Sequence, residues 1–250
     1  MTDDRRSSYD LHLHSFWSYD ATADPSAIFA AAQQLGMRGL ALTEHHAIDS
    51  LGEAEALARQ YPDLTFIPGA ELTVHTAIGP VDMVCLGFCA AAIAALAEVW
   101  QVYHEWQREY GAALCAGMRA LGFDYTDAHR EELLRSYRPE HVLAVQGLTH
   151  VANRIQRDYF LQRGFIQTPE QYSEVLAEAG RLVPRPDYPA ADFVLPRVKS
   201  TGALLVIAHP TRYFLDDDRA RMDMLRIELL LDEIECAHPG VPEHLTPCYR

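Results

Sequence analysis

Asp10-Leu11-His12-Leu13-His14 is the stretch on which the reading of this chain turns. It lies in a short run, 9–14, with the look of a β-strand, and residues two apart on a strand point to one face. His12 and His14 therefore face the same way near a strand end. Two imidazoles on one face can chelate a single metal ion; the bland alternative is a pair of half-buried, hydrogen-bonded histidines.

Outward from that stretch, the first 75 residues alternate between strand and helix. Asp24 suits a helix N-cap, Pro25 the first helical position and Gly36 the helix end. Residues 39–43 read as a second strand and 50–60 as a second helix. Residues 64–68 read as a third strand, continuing past Gly69 towards Val74, and 81–88 as a fourth. Such short units point to βα repeats and a largely parallel sheet. Near Ala90 the pattern changes. Residues 91–121 are Ala-rich with helical spacing, broken by Gly111 and Gly117, and 131–135, 151–162 and 169–179 also read as helix. Residues 90–190 are thus expected to form an inserted helical subdomain, with 1–89 and 191–250 forming the strand-bearing domain. The stretch 183–196 holds four prolines and reads as a rigid extended return. Strand character resumes at 203–208, a helix is expected over 219–230 and a last strand over 233–237, which makes six candidate strands.

The bulk composition narrows the function. The chain has 250 residues, 49% hydrophobic and 22% charged, enough to bury a core without staples. Its 21 basic and 35 acidic side chains give a formal charge of −14, which argues against a large nucleic-acid groove. A small phosphorylated substrate stays open, because bound divalent cations would reverse the field in one pocket. The five cysteines are odd in number, and Cys85 and Cys236 sit in apolar runs, as expected of reduced thiols. No apolar segment at the N-terminus resembles a signal peptide and no run is long enough for a membrane span, so the expected location is the cytoplasm.

Three further strands end in metal-competent side chains. Strand two runs into Thr43-Glu44-His45-His46, strand three into Gly69-Ala70-Glu71, and the strand near 204–208 into His209-Pro210. Functional groups in βα barrels sit at the C-terminal strand ends, where loops vary without unfolding the core. Four such ends point to one metal centre.

These motifs resemble the polymerase-and-histidinol-phosphatase (PHP) family of metal-dependent phosphoesterases. Asp10 to Ser15 is similar to its first motif, Ser18-Tyr19-Asp20 to the Ser-Asp segment that follows, and Ala41 to His46 to its second motif. Gly69-Ala70-Glu71 is similar to the third, whose glutamate bridges two metals. Ala208-His209-Pro210-Thr211-Arg212-Tyr213 resembles the His-Pro motif of the subgroup that cleaves nucleotide and oligonucleotide phosphoesters. The resemblance implies an α/β fold, a distorted (β/α)7 PHP-type barrel with an inserted helical subdomain. It implies up to three divalent ions, manganese, iron or zinc, on His12, His14, Asp20, His45, Glu71 and His209. Glu71, His209 and Arg212 would act in catalysis. His150 and Arg154, at i, i+4 spacing, match a substrate-facing pair more loosely; a basic surface helix face is the alternative.

Two departures stand out. Where the family places a histidine before a glycine, counting back from Gly87 gives Val84 and Asp82; Asp82 is carried as a substitute oxygen ligand, with an exposed strand-edge carboxylate as the alternative. The Asp-x-His motif that ends the family's barrel has no counterpart here, so the barrel is expected to be incomplete at its C-terminus. His238 and His244 are the nearby histidines, His75 could approach the site, and His46 is expected to be exposed or to lie behind the ligands. Tyr103, His104 and Trp106 read as helix packing. The expected activity is hydrolysis of a nucleotide or short-oligonucleotide phosphoester. Three alternatives remain: a metal- or ligand-binding domain without turnover, a histidinol-phosphatase-like enzyme, and an amidohydrolase-type barrel. The last is disfavoured because the chain's one lysine, Lys199, precedes a strand.

Overall fold

The computed structural model describes residues 8–214, 218–236 and 241. The chain divides into two compact units, one made of Met1–His14, Pro25–Trp100 and Tyr188–Arg250, the other of Ser15–Asp24 and Gln101–Asp187. No helix of the described residues is long and apolar enough to cross a membrane.

The first unit carries six strands among the described residues: β1 (Tyr9–Leu13), β2 (Gly39–Leu42), β3 (Thr65–Thr76), β4 (Gly79–Leu86), β5 (Leu204–Ile207) and β6 (Glu233–Ile234). They form one sheet in chain order. β1, β2 and β3 are parallel, β4 is antiparallel to both β3 and β5, and β6 is parallel to β5. Five strands therefore run one way and β4 alone runs back, which corrects the expectation of a largely parallel sheet around β4. The cause is local. Only Ala77 and Ile78 separate β3 from β4, and a connection that short can only make a hairpin. Gly79, at φ 100°, takes the left-handed conformation the turn requires.

Two apolar layers follow from strand alternation. Leu40 and Leu42 of β2 pack with Phe29 and Ala32 of α1 (Pro25–Gln34) and Ala54 of α2 (Leu51–Ala58). Ala41, Val84, Leu86 and Ala208 form a second cluster on the opposite side of the sheet, joined by Leu11, Ile67 and Val206. β1 carries a register shift between Asp10 and Leu13, spending one extra residue against β2. Leu11 thus packs with the second cluster while Leu13 packs with the first. A bulge of this kind re-aims side chains beside a site, here turning His12 and His14 to the side of Leu11.

After α3 (Ala90–Ala95), α4 (Ala97–Ala120) runs unbroken through Gly111 and Gly117, contrary to the expected breaks. In the second unit a Cβ on Gly111 would lie 2.7 Å from the Thr149 carbonyl oxygen, so glycine there permits close packing rather than ending a helix. α5 (Asp127–Arg135), α6 (Glu140–Gln146), α7 (Asn153–Gln162) and α8 (Gln171–Leu182) complete that unit. Arg138 is buried in it; its guanidinium donates to the carbonyls of Phe16 (3.1 Å) and Trp17 (3.0 Å), to Thr149 Oγ1 (2.9 Å) and to Gln146.

The extended return is shorter than expected. Residues 191–200 form α9 (Ala191–Ser200) with Pro196 inside it, because burial of Val194, Leu195 and Val198 outweighs the lost backbone bond. α10 (Arg219–Glu228) precedes β6. His238, His244 and Cys248 lie outside the described residues. Cys85 and Cys115 are buried thiols, and no disulfide forms among the described residues.

Candidate metal centre

The strand directions gather the site. β1, β2, β3 and β5 carry their C-terminal ends to one rim, and β4, running back, brings its early residues to the same rim. At its centre is Glu71, fully buried on β3. His12 Nε2 lies 2.9 Å, His14 Nε2 3.2 Å and His45 Nδ1 3.4 Å from Glu71 Oε2. On the other oxygen, His209 Nδ1 stands 3.6 Å from Oε1 and 3.7 Å from Asp82 Oδ2. The rings of His14 and His45 stack at 4.6 Å. His12, His14, His45, Glu71, Asp82 and His209 therefore come together on one unit.

Two of these positions depend on backbone geometry that strand alternation does not provide. His45 bridges to Glu71 beyond the end of β2. Its neighbour His46 has φ 60°, and its amide donates to the Glu71 carbonyl at 2.8 Å. His209 has φ 46°, a left-handed turn immediately before Pro210. Ala208 already packs on the cluster side, so continued strand geometry would turn His209 away from it. Non-glycine residues held at positive φ cost on the order of 1 kcal/mol or more and concentrate at functional sites.

The electrostatics are those of a buried carboxylate ringed by imidazoles. Burial opposes ionisation of Glu71, but His45, His12 and His14 hold its carboxyl well below the usual range. Burial likewise lowers the His12 imidazole, yet hydrogen bonds to Glu235 and Glu71 outweigh it and push its pKa up to about 10. Asp82 is also held below its ordinary value: burial raises it, and contacts with His209 and Thr73 overcome that. Thr73 Oγ1 donates to Asp82 Oδ1 at 2.7 Å, and His46 Nε2 lies 2.9 Å from the same hydroxyl. His46 is thus buried behind Asp82. Arg212 Nη1 lies 2.8 Å from Asp82 Oδ2, while its side chain stays 62% exposed. Asp82 is itself mostly buried, not an exposed edge carboxylate.

The residues fit a divalent ion. Three combinations bring their ligand atoms within 4.8 Å of one another: His12, His14 and Glu71; Glu71, Asp82 and His209; and His12, His209 and Glu235. Two ligand atoms about 2.1 Å from a tetrahedral ion lie about 3.4 Å apart, close to the spacings around Glu71 Oε2. Glu71 Oε1 is buried and accepts no hydrogen bond from the described residues, an unmet acceptor facing His209.

Glu235 is the residue the sequence reading missed. It follows β6 directly, with Oε1 at 3.0 Å from His12 Nδ1 and Oε2 accepting from the His209 amide at 2.8 Å. Its signal was available: an acidic side chain at the end of another strand, the same rule that found Glu71. His75 is exposed, its amide donating to the Pro189 carbonyl at 2.9 Å. Lys199 sits on α9 paired with Asp232.

Asp20, His150 and Arg154 belong to the second unit. Asp20 Oδ1 accepts from Ser18 Oγ at 2.7 Å. His150 is buried, its ring 3.7 Å from that of Tyr19 and 4.9 Å from that of Tyr110. Arg154 is exposed on α7.

A ring of imidazoles around a buried carboxylate, on the rim of a sheet with one reversed strand, defines a metallohydrolase-type centre. Residues 10–188 match the PHP domain family, and the chain belongs to that family. It is a metal-dependent hydrolase of phosphoric esters by that membership, and its strand ends carry side-chain groups that could hold metal. The fold is similar to that of a candidate metal-dependent phosphoesterase from Bifidobacterium adolescentis, at 20% identity over 96% of this chain and 81% of that one, with a TM-score of 0.72. It is similar also to an amidohydrolase from Chromobacterium violaceum, solved with sulfate and no metal, at 21% identity over 96% of this chain and 81% of that one, with a TM-score of 0.71. At these identities the likeness speaks for the PHP-type barrel fold. A comparison with curated proteins finds no match.

Proposed function

We propose that the chain hydrolyses a phosphomonoester or phosphodiester of a nucleotide or short oligonucleotide, with water as the nucleophile. The observation that carries this reading is Glu71: one oxygen faces His12, His14 and His45, and the other faces His209 beside Asp82. A carboxylate with ligands on both oxygens is suited to bridge two ions. His12, His14 and Glu71 would hold one; Glu71, His209 and Asp82 a second; His45 would serve a third. Divalent manganese, iron or zinc, when bound, lowers the pKa of a water towards neutrality and steadies the leaving oxygen.

Arg212 would neutralise charge on the phosphate. Asp82 anchors one guanidinium nitrogen and most of the group stays exposed, leaving donors in a fork that suits phosphate oxygens. The Chromobacterium violaceum structure holds sulfate, an anion of the same shape and charge class. The likeness of His209 to Tyr213 to the nucleotide-cleaving subgroup supports the substrate class.

A second reading, metal or ligand binding without turnover, is favoured by one observation: both Asp82 oxygens already have partners, Thr73 and Arg212. Metal analysis beside assays on a nucleoside 3′,5′-bisphosphate, short RNA, histidinol phosphate and an aryl phosphate separates the two. Two or more equivalents of metal with turnover of the nucleotide substrates is the expected result, abolished with metal content in Glu71→Ala. One equivalent or less without turnover supports the second reading, and full activity in Glu71→Ala removes that carboxylate from the mechanism.

A further inference from the structure

We propose that Glu235 is a positioning residue that fixes the tautomer of His12 and the backbone of His209, so that one carboxylate aims two metal ligands from different strands. The inference rests on the metal-centre reading above. It concerns a side chain that comes to the site from the end of β6, where the sequence offers no histidine among the described residues.

The geometry assigns the role through both oxygens. Oε1 is 3.0 Å from His12 Nδ1. A carboxylate can only accept there, so Nδ1 keeps its proton, and Nε2 is the nitrogen left to give its own proton up and offer a lone pair to an ion. Nε2 is the nitrogen that faces Glu71 Oε2, at 2.9 Å, beside His14. A carboxylate on the far nitrogen of a metal-bound imidazole fixes its orientation and raises its basicity. Oε2 accepts from the His209 amide at 2.8 Å. That amide belongs to the residue at φ 46°, so the bond holds the left-handed turn that aims His209 at Glu71.

Direct ligation by Glu235 is the competing role, since His12, His209 and Glu235 also group closely enough to share an ion. Two features favour positioning. The main-chain amide is a permanent donor that cannot make way for a cation. His12 would have to turn Nδ1 to that ion and so withdraw Nε2 from the ion it shares with His14 and Glu71.

The test uses zinc on the full chain. Long-range proton–nitrogen NMR of the zinc-loaded wild type should show His12 protonated at Nδ1 and zinc-bound through Nε2. Zinc titration of Glu235→Gln, which keeps the volume and loses one acceptor, should show affinity weaker by about 10- to 100-fold, with the metal-free circular dichroism unchanged. His12 bound through Nδ1, or a Glu235→Gln affinity within twofold of wild type, overturns the proposal. If the variant does not fold, the wild-type tautomer decides alone. A wild type that takes up no zinc overturns the metal centre as well; zinc uptake with the opposite tautomer overturns only the role of Glu235.

Discussion

Metal affinity should climb about tenfold per pH unit well above the range where an ordinary histidine stops titrating. The cause is His12. Burial lowers its pKa, but Glu235 and Glu71 push it from 6.5 up to about 10 in the metal-free protein. A divalent ion must then expel the Nε2 proton, while Nδ1 keeps its own against Glu235. One proton released per ion gives one logarithmic unit of affinity per pH unit, about 1.4 kcal/mol. Between pH 6.5 and 8.5 the gain is therefore about 100-fold, about 2.7 kcal/mol. Competition for zinc with a chelating dye at fixed ionic strength reads the slope, and calorimetry in two buffers of different ionisation enthalpy counts the protons. A flat affinity above pH 7.5 with no proton release would refute the reasoning, because it is what a histidine near pKa 6.5 would give. The same shifts set the stability of the metal-free fold. The His12 contribution, from a raised pKa, is complete below pH 6.5 and fades as pH rises towards about 10. That of Glu71, from a depressed pKa, is complete above its ordinary value of 4.5 and is lost as pH falls. Melting temperature without metal should therefore peak between these limits.

Three further outcomes follow from single contacts. Arg212→Ala should raise KM for phosphoester substrates tenfold or more and leave metal content unchanged, as steady-state kinetics and metal analysis would show. Arg138→Ala removes a buried guanidinium from the carbonyls of Phe16 and Trp17. It should cost about 3 kcal/mol or more in urea unfolding, and a loss under 1 kcal/mol would contradict the role given to it. Gly111→Ala, which sets a methyl 2.7 Å from the Thr149 carbonyl, should cost about 1–3 kcal/mol by the same measurement.

The gathering of side chains from β1 and β3 was legible because a strand's period of two is insensitive to small errors in its ends. His12 and His14 share a side as that rule requires, while the bulge decides which side it is. The bulge between Asp10 and Leu13 was not legible, since nothing in the residue types marks the extra residue. The reversal of β4 was written in the brevity of the Ala77-Ile78 link, but the preceding βα alternation pointed to another parallel strand. Prolines misled at 196, where burial of one helix face outweighs a missing amide. Glu235 was missed for a geometric reason: an expected strand to 237 hid that regular pairing ends at Ile234, leaving the next side chain at the rim. His209 shows the complementary limit, because its motif was visible but the left-handed turn that aims it was not.

Anomalous diffraction from zinc- or manganese-loaded crystals tests the centre most directly. The expected peak is coordinated by His12 Nε2, His14 Nε2 and Glu71, at about 2.0–2.2 Å for zinc, with a second on the His209 side of Glu71. Ions found only on the surface, with His12, His14 and His209 still paired to Glu71, would contradict it.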